Sequence, residues 1–327
     1  MRVLCLIVVL LLSAPALLAQ TIDPDDVIRV ETDVTNLPFT VTDKERRFIT
    51  TLRPEDLRVL EDGVPQKLFT FQQGTDRPLA IAFLIDVSYS QEATLPDEKA
   101  AARSFIEKVI ESNKDQVAIV PFTGFAYLEQ PLTRDLLSVY RVLQRVDIGY
   151  PTYLGAGRPL RGIVSGPGLA APPDEGTTAI WEAVVFTSSN VFAKGPDLRR
   201  RAIILLTDGI NTAGRLSQKE AINRVLAAEA VVYAIGVGSE RDGLDRGALR
   251  DLAQRTGGRA FFPDKKFDLN AAFAEIEREL RTQYLIAYSS TNKKRDGSYR
   301  KITIEITNPE LKKEKLEIRH RPGYYAK

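Results

Sequence analysis

The 327-residue chain is poor in the residues that most often carry metal and redox chemistry: it has one cysteine, one histidine, one methionine and one tryptophan. The single cysteine, Cys5, lies inside the apolar N-terminal run "MRVLCLIVVLLLSAPALLAQ". With no second thiol, the chain forms no internal disulfide and no thiolate metal cluster. The lone histidine, His320, stands near the C-terminus, far in sequence from any candidate serine nucleophile. A Ser–His pair therefore lacks its base. A large excess of charge is missing too. Lys and Arg number 45 against 43 Asp and Glu, a net charge of +2, which implies no nucleic-acid partner. Beyond the N-terminus, no apolar run approaches the roughly 20 residues that a membrane helix needs.

What remains is a globular composition, 44% hydrophobic and 27% charged, in a chain long enough for two domains. The N-terminal segment carries one Arg, a continuous apolar stretch and then small residues. That is the pattern of a secretory signal peptide over residues 1–19, with cleavage expected after Ala19 and Ala16 as the other position. The competing reading is an uncleaved anchor. Cys5 does not follow the small-residue pattern of a lipoprotein site. An exported chain without disulfides fits a bacterial envelope, with a periplasmic or secreted location. From Lys293 to Lys327, eleven Lys and Arg face five Asp and Glu. These cations alternate with apolar residues in "YRKITIEI" and "EKLEIRHR", as on a solvated sheet face rather than a patch for an anionic partner.

The periodicity divides the chain in three. Residues 20–77 read as β: "IRVETDVTNLPFTVTD" alternates in part, "RPEDLRV" is a short helical turn into a strand, and Asp62-Gly63 marks a turn. Residues 78–283 alternate strand and helix. "LAIAFLID", "DQVAIVPFTG", "RRAIILLTDG" and "VVYAIGVG" are apolar strands of the kind buried on both faces. Between them lie helices over "PDEKAAARSFIEKVIES", with Pro96 near its start, and over "TRDLLSVYRVLQRV", with Thr133 as N-cap. Further helices are expected over "TTAIWEAVVFTSSNVFA" and over "SQKEAINRVLAAEA", where Ser217 and Glu220 are spaced as a capping box. "DRGALRDLAQRTGG", a short strand "RAFFP" and the helix "DLNAAFAEIERELRTQ" complete the unit. This alternation predicts a doubly wound, mostly parallel α/β sheet. Residues 284–327 return to three β segments. Neither terminal set of strands is large enough to stand alone, so the two are expected to pair into one small β-sandwich that flanks the α/β unit or receives it as an insertion. Two separate β units are the alternative. The Gly- and Pro-rich stretch 147–176 has almost no periodicity and reads as a functional loop or a surface insertion.

In an open α/β sheet, ligands bind beyond the carboxyl ends of the strands. Three segments bring oxygen-bearing side chains there. "FLIDVSYS" supplies Asp86, Ser88 and Ser90, "LLTDG" supplies Asp208, and "EGTTAIWEA" supplies Thr177 and Thr178. Such residues are also ordinary at strand ends and helix caps. An all-oxygen, mostly neutral set with neither His nor Cys suits a hard cation: Mg²⁺, with Mn²⁺ or Ca²⁺ as alternatives. Hydroxyl ligands leave such an ion electrophilic, so an incoming carboxylate can displace one of its waters. An aspartyl-phosphate phosphatase would want a second Asp where Ser88 stands. Asp174 and Glu175 read as solvated loop carboxylates, Trp181 as core, Phe122 and Phe125 as packing or rim residues, and His320 as a sheet-surface residue.

The segments "DVSYS", "GTTAIWEA" and "LLTDG", in that order, resemble the metal-ion-dependent adhesion site of a von Willebrand factor type A domain. The family pattern is Asp-x-Ser-x-Ser, then a Thr, then an Asp, and Asp86, Ser88, Ser90, Thr178 and Asp208 match it without substitution. "LRDLAQRTGGRAFFP" resembles the closing helix and strand of such a domain. The flanking "VTDKERRFITTLRPEDLRVLEDGVPQKLFTF" and "YLIAYSSTNKKRDGSYRKITIEI" resemble bacterial von Willebrand factor A-related proteins of Acidobacteria. The resemblance implies that both Ser and the Thr ligate the ion directly and that the Asp residues do so directly or through water. It implies a protein partner presenting Asp or Glu, in adhesion or assembly; the residues themselves offer no general base or nucleophile pair for catalysis. It also implies a last helix, Phe267–Arg281, that moves when ligand binds. The other reading is a structural envelope protein whose metal only stabilises the fold.

Overall fold

The computed structural model describes residues 34–73, 77–149, 177–192, 200–238, 244–263 and 266–326. The expected signal segment with Cys5, most of the 147–176 stretch, and Asp174 and Glu175 lie outside the described residues. Among the described residues, no helix is long and apolar enough to cross a membrane.

Four strands come first: β1 (Val34–Thr42), β2 (Leu57–Glu61), β3 (Val64–Gln66) and β4 (Leu68–Gln73). A 3₁₀ turn over Pro54–Asp56 leads into β2, as "RPEDLRV" predicts. The α/β unit then runs β5 (Leu79–Asp86), α1 (Leu95–Val109), β6 (Gln116–Phe122), β7 (Gln130–Thr133), α2 (Leu136–Arg145), α3 (Ile180–Phe186), β8 (Arg200–Thr207), α4 (Gln218–Ala227), β9 (Ala230–Gly236), α5 (Arg246–Thr256), β10 (Ala260–Phe261) and α6 (Lys266–Thr282). Last come β11 (Tyr284–Ser289), β12 (Tyr299–Ile306), α7 (Pro309–Lys313), β13 (Glu317–His320) and β14 (Gly323–Tyr325).

The central sheet has the order β10-β9-β8-β5-β6-β7. All its pairs are parallel except β6 with β7. Because successive strand side chains point to opposite faces, β5 feeds two cores. Ile81, Phe83 and Ile85 join α1, α2 and α6 on one face. Ala80, Ala82 and Leu84 join α3, α4 and α5 on the other. A strand apolar at every position is therefore one covered by helices on both sides.

The strands of the two termini interleave. One sheet has the order β13-β1-β11-β4 and the other β14-β12-β2-β3. Phe39 and Val41 of β1, Val59 of β2, Tyr284, Ile286 and Tyr288 of β11, and Ile302 and Ile304 of β12 share one core. A buried carboxylate ties the same strands together. Glu61 on β2 accepts hydrogen bonds from the Tyr288 hydroxyl (2.9 Å), the Tyr324 hydroxyl (2.9 Å) and the Ser290 hydroxyl. Only Gln283 separates α6 from β11, and Arg319 of β13 donates to the buried Glu279 of α6 at 3.3 Å. His320 is half-buried rather than on the sheet surface, and its Nδ1 lies 2.6 Å from the Arg321 carbonyl oxygen.

Local details depart from expectation at two helix starts. Thr133 ends the antiparallel edge strand β7, which alternation alone does not reveal. Asp135 caps α2 instead, its carboxylate accepting from the N–H groups of Leu137 (3.1 Å) and Ser138 (3.3 Å). The helix after Thr178 has its N-cap at Ala179, and its free N–H groups are capped from outside: Asn211 Oδ1 accepts from Ile180 at 2.7 Å and Trp181 at 3.4 Å. Thr177 does not fill that role. The Ser217–Glu220 capping box forms as expected.

Candidate metal centre

From β5 the chain moves outward to β6, then returns to the other flank of β5 with β8. The strand order thus reverses between β5 and β8, where an open α/β sheet leaves a crevice at its carboxyl edge. Asp86 is the last residue of β5, and Asp208 follows Thr207, the last of β8. The topology brings the two carboxylates to this crevice.

Each aspartate braces its own loop with one oxygen and reaches across with the other. Asp86 Oδ1 accepts from the Ser88 N–H at 3.0 Å, and Asp208 Oδ1 from the Ile210 N–H at 3.1 Å. Asp86 Oδ2 accepts from the Thr207 hydroxyl on β8 at 2.6 Å. Asp208 Oδ2 accepts from the Ser90 hydroxyl at 2.7 Å and from the Gln91 side-chain amide at 3.1 Å. The Ser88 and Ser90 hydroxyls lie 3.0 Å apart. Asp86, Ser88, Ser90 and Asp208 therefore form one hydrogen-bonded cluster. The turn after Asp208 depends on Gly209, which has φ +83°, a left-handed conformation that favours glycine.

Thr178 is buried at the same edge but outside that cluster. Its N–H donates to the Thr212 hydroxyl at 2.7 Å, and its carbonyl accepts from the N–H groups of Thr212 (2.9 Å) and Ala213 (3.1 Å). The next residue, Ala179, donates to the Thr123 carbonyl beyond β6 at 2.8 Å. Thr178 thus sits on a segment pinned to the loops after β6 and β8, the two strands flanking β5. The first residues of the Gly- and Pro-rich stretch also border the site, with the Gly149 N–H donating to the Val87 carbonyl at 2.8 Å. Phe122 and Trp181 are buried in the core. Phe125 packs edge-on against Tyr127 with ring centroids 4.5 Å apart. Tyr89, between the two serines, is exposed.

Among the described residues, the donors that Asp86 and Asp208 accept from are all neutral. Burial pushes the Asp86 carboxyl up to about 6, and the Asp208 charge adds to that rise against the hydrogen bonds from Ser88 and Thr207. Two neighbouring carboxylates bonded only to neutral donors are an arrangement that a cation would complete. Among the described residues, no three carboxylate, imidazole or thiol groups gather as a metal site. A cation here would therefore depend on hydroxyls, which fits a hard ion.

Three residues of this arrangement are not evident from motif spacing: Thr207, Gln91 and Glu98. Glu98 is completely buried on α1, and neither of its carboxylate oxygens has a hydrogen-bond partner among the described residues. Burial raises its carboxyl to about 8 against the Thr94 hydroxyl, and the charges of Asp86 and Asp208 contribute. A signal for Glu98 does exist. Leu95, Glu98, Ala101, Ala102, Phe105, Ile106 and Val109 form the buried stripe of α1, and Glu98 is its one charged member.

Fold and site together define a class: doubly wound α/β domains with an oxygen-only cluster at the topological switch point. The family model of the von Willebrand factor type A domain matches residues 169–277, within the α/β unit. The match takes in Thr178 and Asp208 and leaves the Asp86–Ser90 segment outside it. Proximal thread matrix protein 1 of the mussel byssus, solved with a zinc-occupied MIDAS motif, shares the fold at a TM-score of 0.51 and 19% identity. That alignment covers 68% of this chain and 50% of the mussel protein, so the chain spans about half the length of that relative. BatB from Bacteroides thetaiotaomicron aligns at a TM-score of 0.47 and 21% identity, covering 62% of this chain and 97% of BatB. An aerotolerance-related membrane protein from Bacteroides fragilis aligns at 0.45 and 20%, covering 62% of this chain and 98% of its own. No curated protein sequence matches the chain.

Proposed function

We propose that the α/β unit is a protein-binding module that uses a divalent cation of the Mg²⁺ type as part of its interface. Asp86, Ser88, Ser90, Thr178 and Asp208 hold the ion, and a partner's Asp or Glu side chain completes its shell. The observation that carries this reading is the pair of aspartates at the switch point, joined through Ser88 and Ser90 and bonded, among the described residues, only to neutral donors. A site with two carboxylates and three hydroxyls leaves the ion short of ligand charge, so an anionic group from outside binds well. The zinc-occupied motif of the mussel protein supports a divalent ion in this fold. The exported location expected from the N-terminal segment places the module in the envelope or outside the cell.

The test has two parts. Mg²⁺ or Mn²⁺ added to the metal-free protein raises its melting temperature, and Asp86→Ala abolishes the rise. Immobilised protein then retains an envelope component in Mg²⁺ and releases it in chelator. Partner retention that survives both chelator and Asp86→Ala refutes the reading. A melting-temperature rise with unchanged partner retention favours a metal that only stabilises an envelope scaffold.

A further inference from the structure

Among buried ionisable groups, Glu98 differs from its peers. Glu61 has three hydroxyl donors, Asp115 accepts from the N–H groups of Leu79 (2.7 Å) and Glu111 (2.9 Å), and Glu279 accepts from Arg319. These carboxylates work as caps or ties. Glu98 has no such task. Among the described residues neither of its buried oxygens has a hydrogen-bond partner of good geometry, and the neighbouring Thr94 hydroxyl offsets only part of the burial; its own backbone N–H is engaged with the Thr94 carbonyl at 3.0 Å. A buried carboxyl without full donors is unfavourable for the fold, so its position calls for a ligand.

Its surroundings say which ligand. Glu98 shares the inner face of α1 with Leu95, whose core also holds Ile85 and Val87 on either side of Asp86. The Thr94 hydroxyl, one turn earlier, donates to the Gln91 side-chain oxygen at 3.0 Å and also lies beside the Glu98 carboxyl. Gln91 in turn donates to Asp208. Glu98 therefore lies behind the metal loop, next to the residues that brace Asp208, and the Asp86 and Asp208 charges reach it. It is not one of three acidic groups close enough to gather on an ion directly.

We propose that Glu98 is the outer carboxylate of the metal centre, a positioning residue that accepts a hydrogen bond from a water held by the ion. The proposal rests on the metal reading above. Once the cation displaces its proton, it adds a negative charge behind the hydroxyl-rich inner set, which stays unchanged. It also accounts for a carboxyl on an otherwise apolar stripe, since the group gains a full donor when the ion brings water with it.

Calorimetric titration of the full chain with Mn²⁺, paired with melting curves in chelator at pH 7.5, tests this. Glu98→Gln should weaken Mn²⁺ binding by about tenfold or more, the usual effect of removing an outer-shell partner. Glu98→Leu should melt higher than the wild type in chelator yet gain less from Mn²⁺. A purely structural residue would give the reverse, a lower melting point with unchanged affinity. Wild-type Mn²⁺ affinity in both variants, with binding lost in Asp208→Ala, overturns the role of Glu98 and leaves the metal reading standing. Absence of Mn²⁺ binding by the wild type, or full binding by Asp208→Ala, overturns both.

Discussion

Replacing Asp86 by Asn should stabilise the metal-free protein at neutral pH, although Asp86 is fully buried and hydrogen-bonded. The magnitude follows from the carboxyl's displacement from 3.8 to about 6. At 1.36 kcal/mol per pH unit, the ionised group costs the metal-free fold about 3 kcal/mol above pH 6. Asn keeps the acceptor for the Ser88 N–H but turns a donor towards the Thr207 hydroxyl, which loses its acceptor at a cost of about 1 kcal/mol. The net expectation is a gain of about 2 kcal/mol at pH 7.5. The sign reverses in acid. A raised folded-state pKa means that the protonated carboxyl costs nothing below the unfolded value, and that the penalty grows as pH rises from about 4 to 6. At pH 4, where about 0.5 kcal/mol of the penalty is present, the variant should therefore be about 0.5 kcal/mol less stable than the wild type. Urea unfolding in chelator, followed by fluorescence of the single, buried tryptophan Trp181, measures both values. Destabilisation at pH 7.5, or an effect that does not change between pH 4 and 7.5, would refute the electrostatic account of the site.

Two other predictions concern the frame of the site. Glu61→Ala removes the shared acceptor of the Tyr288, Tyr324 and Ser290 hydroxyls. It should lower stability by about 2–4 kcal/mol, with Glu61→Gln intermediate; equal urea midpoints for the three proteins would show that these bonds do not tie the terminal strands together. Gly209→Ala forces a side chain into φ +83° and sets its Cβ 3.0 Å from Leu249 Cδ1. It should cost about 1–2 kcal/mol, and by shifting Asp208 it should weaken Mn²⁺ binding in calorimetry, whereas unchanged affinity would uncouple the turn from the site.

The elements easiest to foresee from sequence were those whose signal is local. "LAIAFLID" has no polar face, and only a strand covered on both sides tolerates that. Ser217 and Glu220 satisfy each other's backbone within one turn. The interleaving of the terminal strands follows from counting, because neither set can bury a face alone. What sequence conceals is donated from elsewhere in the chain. The α3 N-terminus is capped by Asn211, 31 residues downstream. Asp86 is held by Thr207, 121 residues away, and Asp208 by Gln91, 117 residues back. Spacing rules for short motifs have no access to such pairs, which exist only because β5 and β8 are neighbours.

Glu98 is a different case, because its anomaly was local and could have been seen. A helix that buries Leu95, Ala101, Ala102, Phe105, Ile106 and Val109 on one face sets the period, and position 98 falls on that face. A carboxylate there has two ordinary outcomes: it reaches solvent, or it finds donors. Its complete burial removes the first, and among the described residues no well-formed donor to its oxygens supplies the second. A flaw in packing alone would be easily relieved, since Leu or Met fits the same stripe. The position makes physical sense when its donor belongs to something that the polypeptide binds, and the charges that reach it are those of Asp86 and Asp208.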